Sequence, residues 1–256
     1  MTPVQARIVP ARSGARWVLD GWRIFRAAPL GWLATVMAYL LITNVLALLP
    51  FVGVPAALLL VPPLSLGLMA AARAAANGAS LDLGLLFSGF RQGRQAQLLL
   101  GAVYMVLSLG VFGVMILADG DGALRLVLSG ASNAEEIDGF AALAPLAAAA
   151  IAYTPVMMAF WFAPPLAAWH GLGAAKAMFF SFVACTLNWR VFLVYGAVFG
   201  AILFLIALVG TALTIGGLIS RQFVIGSLIV ILPTLFASFY ASYRDVFDEP
   251  AEEAAP

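Results

Sequence analysis

The sequence predicts an all-α polytopic membrane protein: six transmembrane helices as three parallel two-span repeats, each preceded by a short interfacial helix. Three observations carry that expectation. The 256-residue chain is 64% hydrophobic and 10% charged, with a mean hydropathy of +1.04, whereas soluble domains carry roughly 25% charge. Its uncharged runs reach the ~20 residues that cross a hydrocarbon core of about 30 Å. An aromatic–arginine pair opens three of them, in Gly21-Trp22-Arg23, Gly89-Phe90-Arg91 and Asn188-Trp189-Arg190. A helix satisfies its own backbone in lipid. Barrel strands alternate over short segments, so continuous apolar runs exclude a β-barrel.

Taken in order, residues 1–14 read as a disordered cytoplasmic tail. Residues 1–28 hold five arginines and no apolar core of the length a cleavable signal needs. From Arg16, steps of about 100° per residue put Trp17, Val18, Gly21, Trp22, Ile24 and Phe25 on one side of a helix. Arg16, Asp20, Arg23 and Arg26 fall on the other, with Leu19 among them. That pattern suits a helix lying in the membrane interface. Span 1 follows over about Gly31 to Leu49, a turn over Pro50 to Gly53, and span 2 over about Val54 to Ala75. Pro62 and Pro63 remove two backbone donors in mid-span and predict a kink or break.

Ser80 reads as the cap of a short helix from Leu81 to Phe90, and span 3 continues to about Leu117. Asp119 to Phe140 is the one sizeable external loop. It opens like a calcium loop, but Gly130 stands where the closing glutamate belongs, so a turn is expected there. Ser132 to Glu135 fits a capping box. Span 4 lies within Ala141 to His170, with Pro145, Pro155, Pro164 and Pro165 as break points. In the helix expected over 173–190, Ala177, Ser181, Ala184 and Asn188 form a small-residue stripe suited to close packing. Span 5 starts at Val191. Its Gly196-x-x-x-Gly200 spacing is read as packing inside the monomer. Span 6 covers about Phe223 to Tyr240, and 245–256 is an acidic cytoplasmic tail.

Two features recur in register. Pro62, Pro164 and Pro233 are followed after 11, 12 and 11 residues by Arg73, Lys176 and Arg244. From each triplet arginine to its proline the distance is 39, 73 and 43 residues, the long one holding the external loop. Repeats of about 15–76, 80–172 and 173–244 within one membrane domain, 15–244, follow, with the loop at about 118–140. Eleven of the thirteen basic residues then fall on one side, leaving Arg125 and Arg221 on the other. The positive-inside rule makes both termini cytoplasmic in a multi-pass protein of the bacterial inner membrane.

Chemistry is scarce. None of the six runs holds an Asp, Glu, Lys or Arg away from its ends, which argues against an ion-coupled transporter. Cys185 is the single cysteine and His170 the single histidine. No catalytic residue, metal site or cofactor is expected, nor a nucleic-acid partner; the chain is read as a non-enzyme. The candidate site is the belt of Arg23, Arg91 and Arg190 with Trp22, Phe90 and Trp189, since an arginine fork holds phosphate and the ring packs on lipid. Its expected partners are anionic membrane lipids or a membrane protein. The alternative is a passive channel or transporter for a neutral or amphiphilic molecule, with Pro62, Pro63, Pro164, Pro165 and Pro233 as helix hinges.

Gly21-Trp22-Arg23-Ile24-Phe25, Leu86 to Arg91 and Ala163 to His170 together resemble an uncharacterised family of bacterial six-span inner-membrane proteins, over about Val18 to Tyr243. The resemblance implies a fold and a location and carries no activity. More distantly, the layout is similar to the membrane domain fused to some glycerophosphodiester phosphodiesterases, whose catalytic domain is absent here. Mitochondrial-type carriers share three two-span repeats, but no acid follows Pro29 as their signature requires.

Overall fold

The computed structural model describes residues 5–119, 143–217 and 221–247, and these are helical with no strand among them. In order they form α1 (Ser13–Ala27), α2 (Pro29–Ala47), α3 (Gly53–Ala76), a 3₁₀ helix (Leu83–Phe90), α4 (Arg94–Ala118), α5 (Leu143–Phe160), α6 (Ala163–Trp169), α7 (Ala174–Leu187), α8 (Trp189–Ile215) and α9 (Arg221–Phe247). The calcium-like loop start at 119–130 and the capping box at 132–135 lie, beyond Asp119, outside the described residues. Five helices are long and apolar enough to cross a membrane: α2, α3, α4, α5 taken through α6, and α8. The sixth expected span corresponds to α9. This 27-residue helix is not among those five, and its last two turns carry Arg244 and Asp245.

Local chemistry sets the ends. Pro29 opens α2, where its missing N–H costs nothing. Beyond α3, Gly78 adopts a φ of 72°. The Ala79 N–H then reaches the Ala74 carbonyl at 2.9 Å and the Gly78 N–H the Ala75 carbonyl at 3.2 Å, a Schellman closure that needs glycine. The cap of the 3₁₀ helix is Asp82, which accepts the Gly84 N–H at 3.0 Å. Ser80 is not the cap, because the helix starts two residues later than expected.

The prolines behave unequally. Pro62 and Pro63 lie inside α3, which continues as one helix, and Pro155 and Pro233 lie inside α5 and α9. Pro155 is therefore not a break. Pro164 and Pro165 open α6 after a real interruption at Trp161 and Phe162. There Ser181 of α7 stitches the severed ladder. Its hydroxyl accepts the Phe162 N–H at 2.9 Å and donates to the Met158 carbonyl at 2.7 Å. Pro63 cannot donate to the carbonyl of Leu59, and that oxygen lies where a side chain on Gly101 of α4 would sit.

The core gathers at one end. Most buried residues fall in the first halves of α2, α4 and α8 and the later parts of α3, α5 and α9, together with most of α6 and faces of α1 and α7. The other halves expose large apolar side chains such as Leu41, Val45, Phe112, Leu203 and Phe204. We call these the closed and open ends. Gly196 and Gly200 face open space, so their spacing does not pack inside the monomer. Ala177, Ser181, Ala184 and Asn188 are all buried, as the stripe requires.

Each short element packs on the second long helix of the preceding pair. The 3₁₀ helix lies on α3, where a Cβ on Gly67 would overlap the Leu86 carbonyl and one on Gly89 that of Pro63. Helix α7 lies on α5 and α6. Helix α1 lies on α9, where a side chain on Gly21 would meet Thr234 and Ser238. Trp17, Val18, Gly21, Ile24 and Phe25 are buried on that face, but Trp22 is exposed, contrary to the helical-wheel expectation.

The chain ends are ordered further than expected. Residues 5–12 are no loose tail, because Asn188 holds them: its Oδ1 accepts the Val9 N–H and its Nδ2 donates to the Arg7 carbonyl, both at 2.9 Å. The Arg7 N–H also reaches the Val246 carbonyl at 2.8 Å. Helix α9 runs to Phe247, inside the stretch read as an acidic tail, with Val246 and Phe247 buried.

Candidate functional site

Two places at or near the closed end gather candidate side chains. The first is its rim. Arg23 donates to Asp20 one helical turn earlier at 2.8 Å, and Arg244 approaches the other carboxylate oxygen at 3.8 Å. Trp22 is 40% exposed and touches the Phe25 ring. Arg190 places its guanidinium carbon 5.4 Å from the centre of the Trp189 ring, which is 53% exposed. Arg91 is exposed beside the half-buried Phe90. Among the described contacts none joins two of these three arginines, so the belt consists of separate corners. A guanidinium over an aromatic face within about 6 Å gains roughly 0.5–1 kcal/mol where exposed.

The second is a cavity of about 190 Å³ between α3, α4, α5 and α6, with Phe239 of α9 as one wall. Pro62 and Pro164 line it, as do Tyr104, Tyr153 and Trp161. The two tyrosine hydroxyls meet at 2.7 Å. Tyr104 sits edge-on to Phe160 with ring centres 5.1 Å apart, and Trp161 lies 4.5 Å from Phe239. The indole N–H of Trp161 is spent on Ser242 at 3.1 Å, and the Ser65 hydroxyl on the Pro62 carbonyl at 2.8 Å. The sequence alone did not single out the tyrosine pair; forty-nine residues and the external loop separate its members.

Other polar groups hold the fold. His170 Nε2 and the Tyr243 hydroxyl lie 2.6 Å apart, and Arg73 stands over Trp169 at 5.1 Å. Tyr195 pairs with Ser238 at 2.6 Å. Gln97, fully buried, donates to the Pro164 carbonyl at 2.7 Å and joins α4 to α6. Burial pushes the Cys185 thiol well above its usual range, against a weaker lowering from Ser181, so it stays a protonated packing group.

A probable inner membrane protein of Burkholderia thailandensis is 36% identical to this chain over 263 residues, spanning 97% of this chain and 96% of that protein. The chain belongs to that protein's family. The family resemblance drawn from residues 21–25, 86–91 and 163–170 is thereby met, and the relative's name gives a membrane location without an activity. No protein-family model matches the chain, and no solved structure matches it. With its apolar helices, the chain is an integral membrane protein.

Proposed function

We propose that the protein is a non-enzymatic, six-span inner-membrane protein whose closed end faces the cytoplasm and whose rim binds anionic lipid headgroups. Three helix pairs form a ring about an axis along the membrane normal, each short helix seated on the preceding pair. The order short–long–long, met three times, and the contact of α1 with α9 support that ring. The excess of basic residues at the closed end supports the orientation. One observation carries the lipid reading: Arg190 and the exposed Trp189 point outward together at a helix start whose neighbours Asn188 and Val191 are buried. An arginine fork there takes a phosphate while the ring packs on acyl chains.

Native mass spectrometry of protein in mild detergent tests it, comparing wild type with the variant Arg23→Gln, Arg91→Gln, Arg190→Gln. A phospholipid adduct that disappears in the inserted variant is expected. Arg190→Gln alone removes most of it, because Arg23 already shares its charge with Asp20. An adduct that persists in the triple variant refutes the reading, and a variant that fails to insert makes the arginines anchors only.

A passive path for a neutral or amphiphilic molecule is the second reading, favoured by the cavity at Pro62 and Pro164. Those prolines would flex α3 and the α5–α6 break. Flux of such a solute into protein-loaded vesicles, absent from empty ones, is its test.

A further inference from the structure

We infer that the cavity is a binding site for a neutral ring carrying a carbonyl oxygen, of the quinone or aromatic-ketone class. This deepens the second reading and is independent of the rim. Donor arithmetic starts the argument. Tyr104 and Tyr153 own two O–H donors and share a single hydrogen bond. One donor is left over, with no further acceptor among the described residues, and both tyrosines line the cavity. The other polar groups on its wall, the Trp161 indole and the Ser65 hydroxyl, already donate elsewhere.

An unpaired donor in apolar surroundings is costly, so the occupant must bring an acceptor. Water meets the tyrosine hydroxyls but leaves a mostly apolar wall without packing partners. An acyl chain fills space and leaves the donor unpaired. Depth excludes the ester carbonyls of ordinary lipids. Tyr104 stands ten residues beyond Arg94, about 15 Å down a helix, near the middle of a span. Size and shape select a ring: a cavity of about 150 Å³ holds benzene, and about 190 Å³ leaves room for a carbonyl substituent. Phe160, Trp161 and Phe239 supply aromatic edges and faces against which a flat ring packs.

The test uses 4-fluoroacetophenone, observed by fluorine NMR with the purified full chain in detergent micelles, and 4-fluorotoluene as the ring without an acceptor. Saturable binding of the ketone is expected. It should weaken about tenfold in the isosteric variant Tyr104→Phe, Tyr153→Phe, while 4-fluorotoluene binds both proteins alike. Ser65→Leu, which fills the cavity, should abolish binding of both. Circular dichroism and the melting point confirm that each variant is folded. Absent saturation in the wild type, equal ketone affinity in the double Phe variant, or undiminished binding in Ser65→Leu each overturns the site. Binding without vesicle flux leaves the site standing and removes the passive path.

Discussion

The two ends of the molecule are built from the same apolar composition and held by different physics. At the closed end, glycines let backbones touch: Gly67 against Leu86, Gly89 against Pro63 and Gly101 against Leu59. Serines and tyrosines there bridge helices, as Ser181 does to Phe162 and Ser238 to Tyr195. Toward the open end the glycines Gly110 and Gly113 meet nothing within 4 Å. Phe51, at the α2–α3 turn, is fully exposed. In lipid no hydrophobic force draws helices together, so close packing and interhelical hydrogen bonds must do it. Among the described residues these contacts concentrate at the closed end, with the approach of Gly53 to Leu46 and Ala47 at the α2–α3 turn as an exception. The open end is left to the surrounding lipid.

The sharpest break of that comparison changes one chemistry at both ends. Gly67→Ala and Gly101→Ala each put a methyl into a neighbouring carbonyl and should cost about 3 kcal/mol, or prevent folding. Gly110→Ala and Gly113→Ala should be neutral or stabilising by up to about 1 kcal/mol, from helix propensity alone. Melting in one detergent reads all four. Similar losses at both ends would mean that the open end packs as the closed end does.

Asn188→Ala is next in size. It removes both bonds to residues 7 and 9 and a third to the Ala184 carbonyl at 3.0 Å. The loss should be about 2 kcal/mol, since the partners are backbone groups left without acceptor or donor. Limited proteolysis should then cut near Val9 much faster, while cleavage elsewhere is unchanged. An unchanged cleavage rate would show that contacts such as those of Arg7 with the Asp245 and Val246 carbonyls suffice to hold the segment.

The sequence told much about the helices and little about what joins them. Apolar runs located α2, α3, α4 and α8 to within a few residues, because length and hydropathy are local properties. The buried face of α1 was legible from its spacing, apart from Trp22, which is 40% exposed and rests on Phe25. Pro155 and Pro164 look alike in sequence. They differ in outcome because a second proline and the Ser181 hydroxyl stabilise an interruption at 161–162, whereas α5 runs on through Pro155 beside Thr154, which bonds the Ala150 carbonyl at 2.8 Å. The rim arginines were found from their aromatic neighbours. The tyrosine pair and the Asn188 clasp were not, since each depends on a partner far away in the chain, and for Asn188 that partner is backbone.

The smallest effect separates charge from hydrogen bonding at the α1–α9 seam. Asp245 receives the Trp17 indole N–H at 2.9 Å and the Arg16 guanidinium at 3.2 Å. Arg16 is 54% exposed in its side chain, so the ion pair should be worth less than about 1 kcal/mol. Asp245→Asn keeps an acceptor for the indole and deletes the charge. Its melting point should fall by a degree or two at low salt. In about 1 M salt, where screening acts within roughly 3 Å, it should match the wild type. A deficit that survives high salt would show that the buried Trp17 indole needs a charged acceptor, unlike the neutral Ser181 stitch.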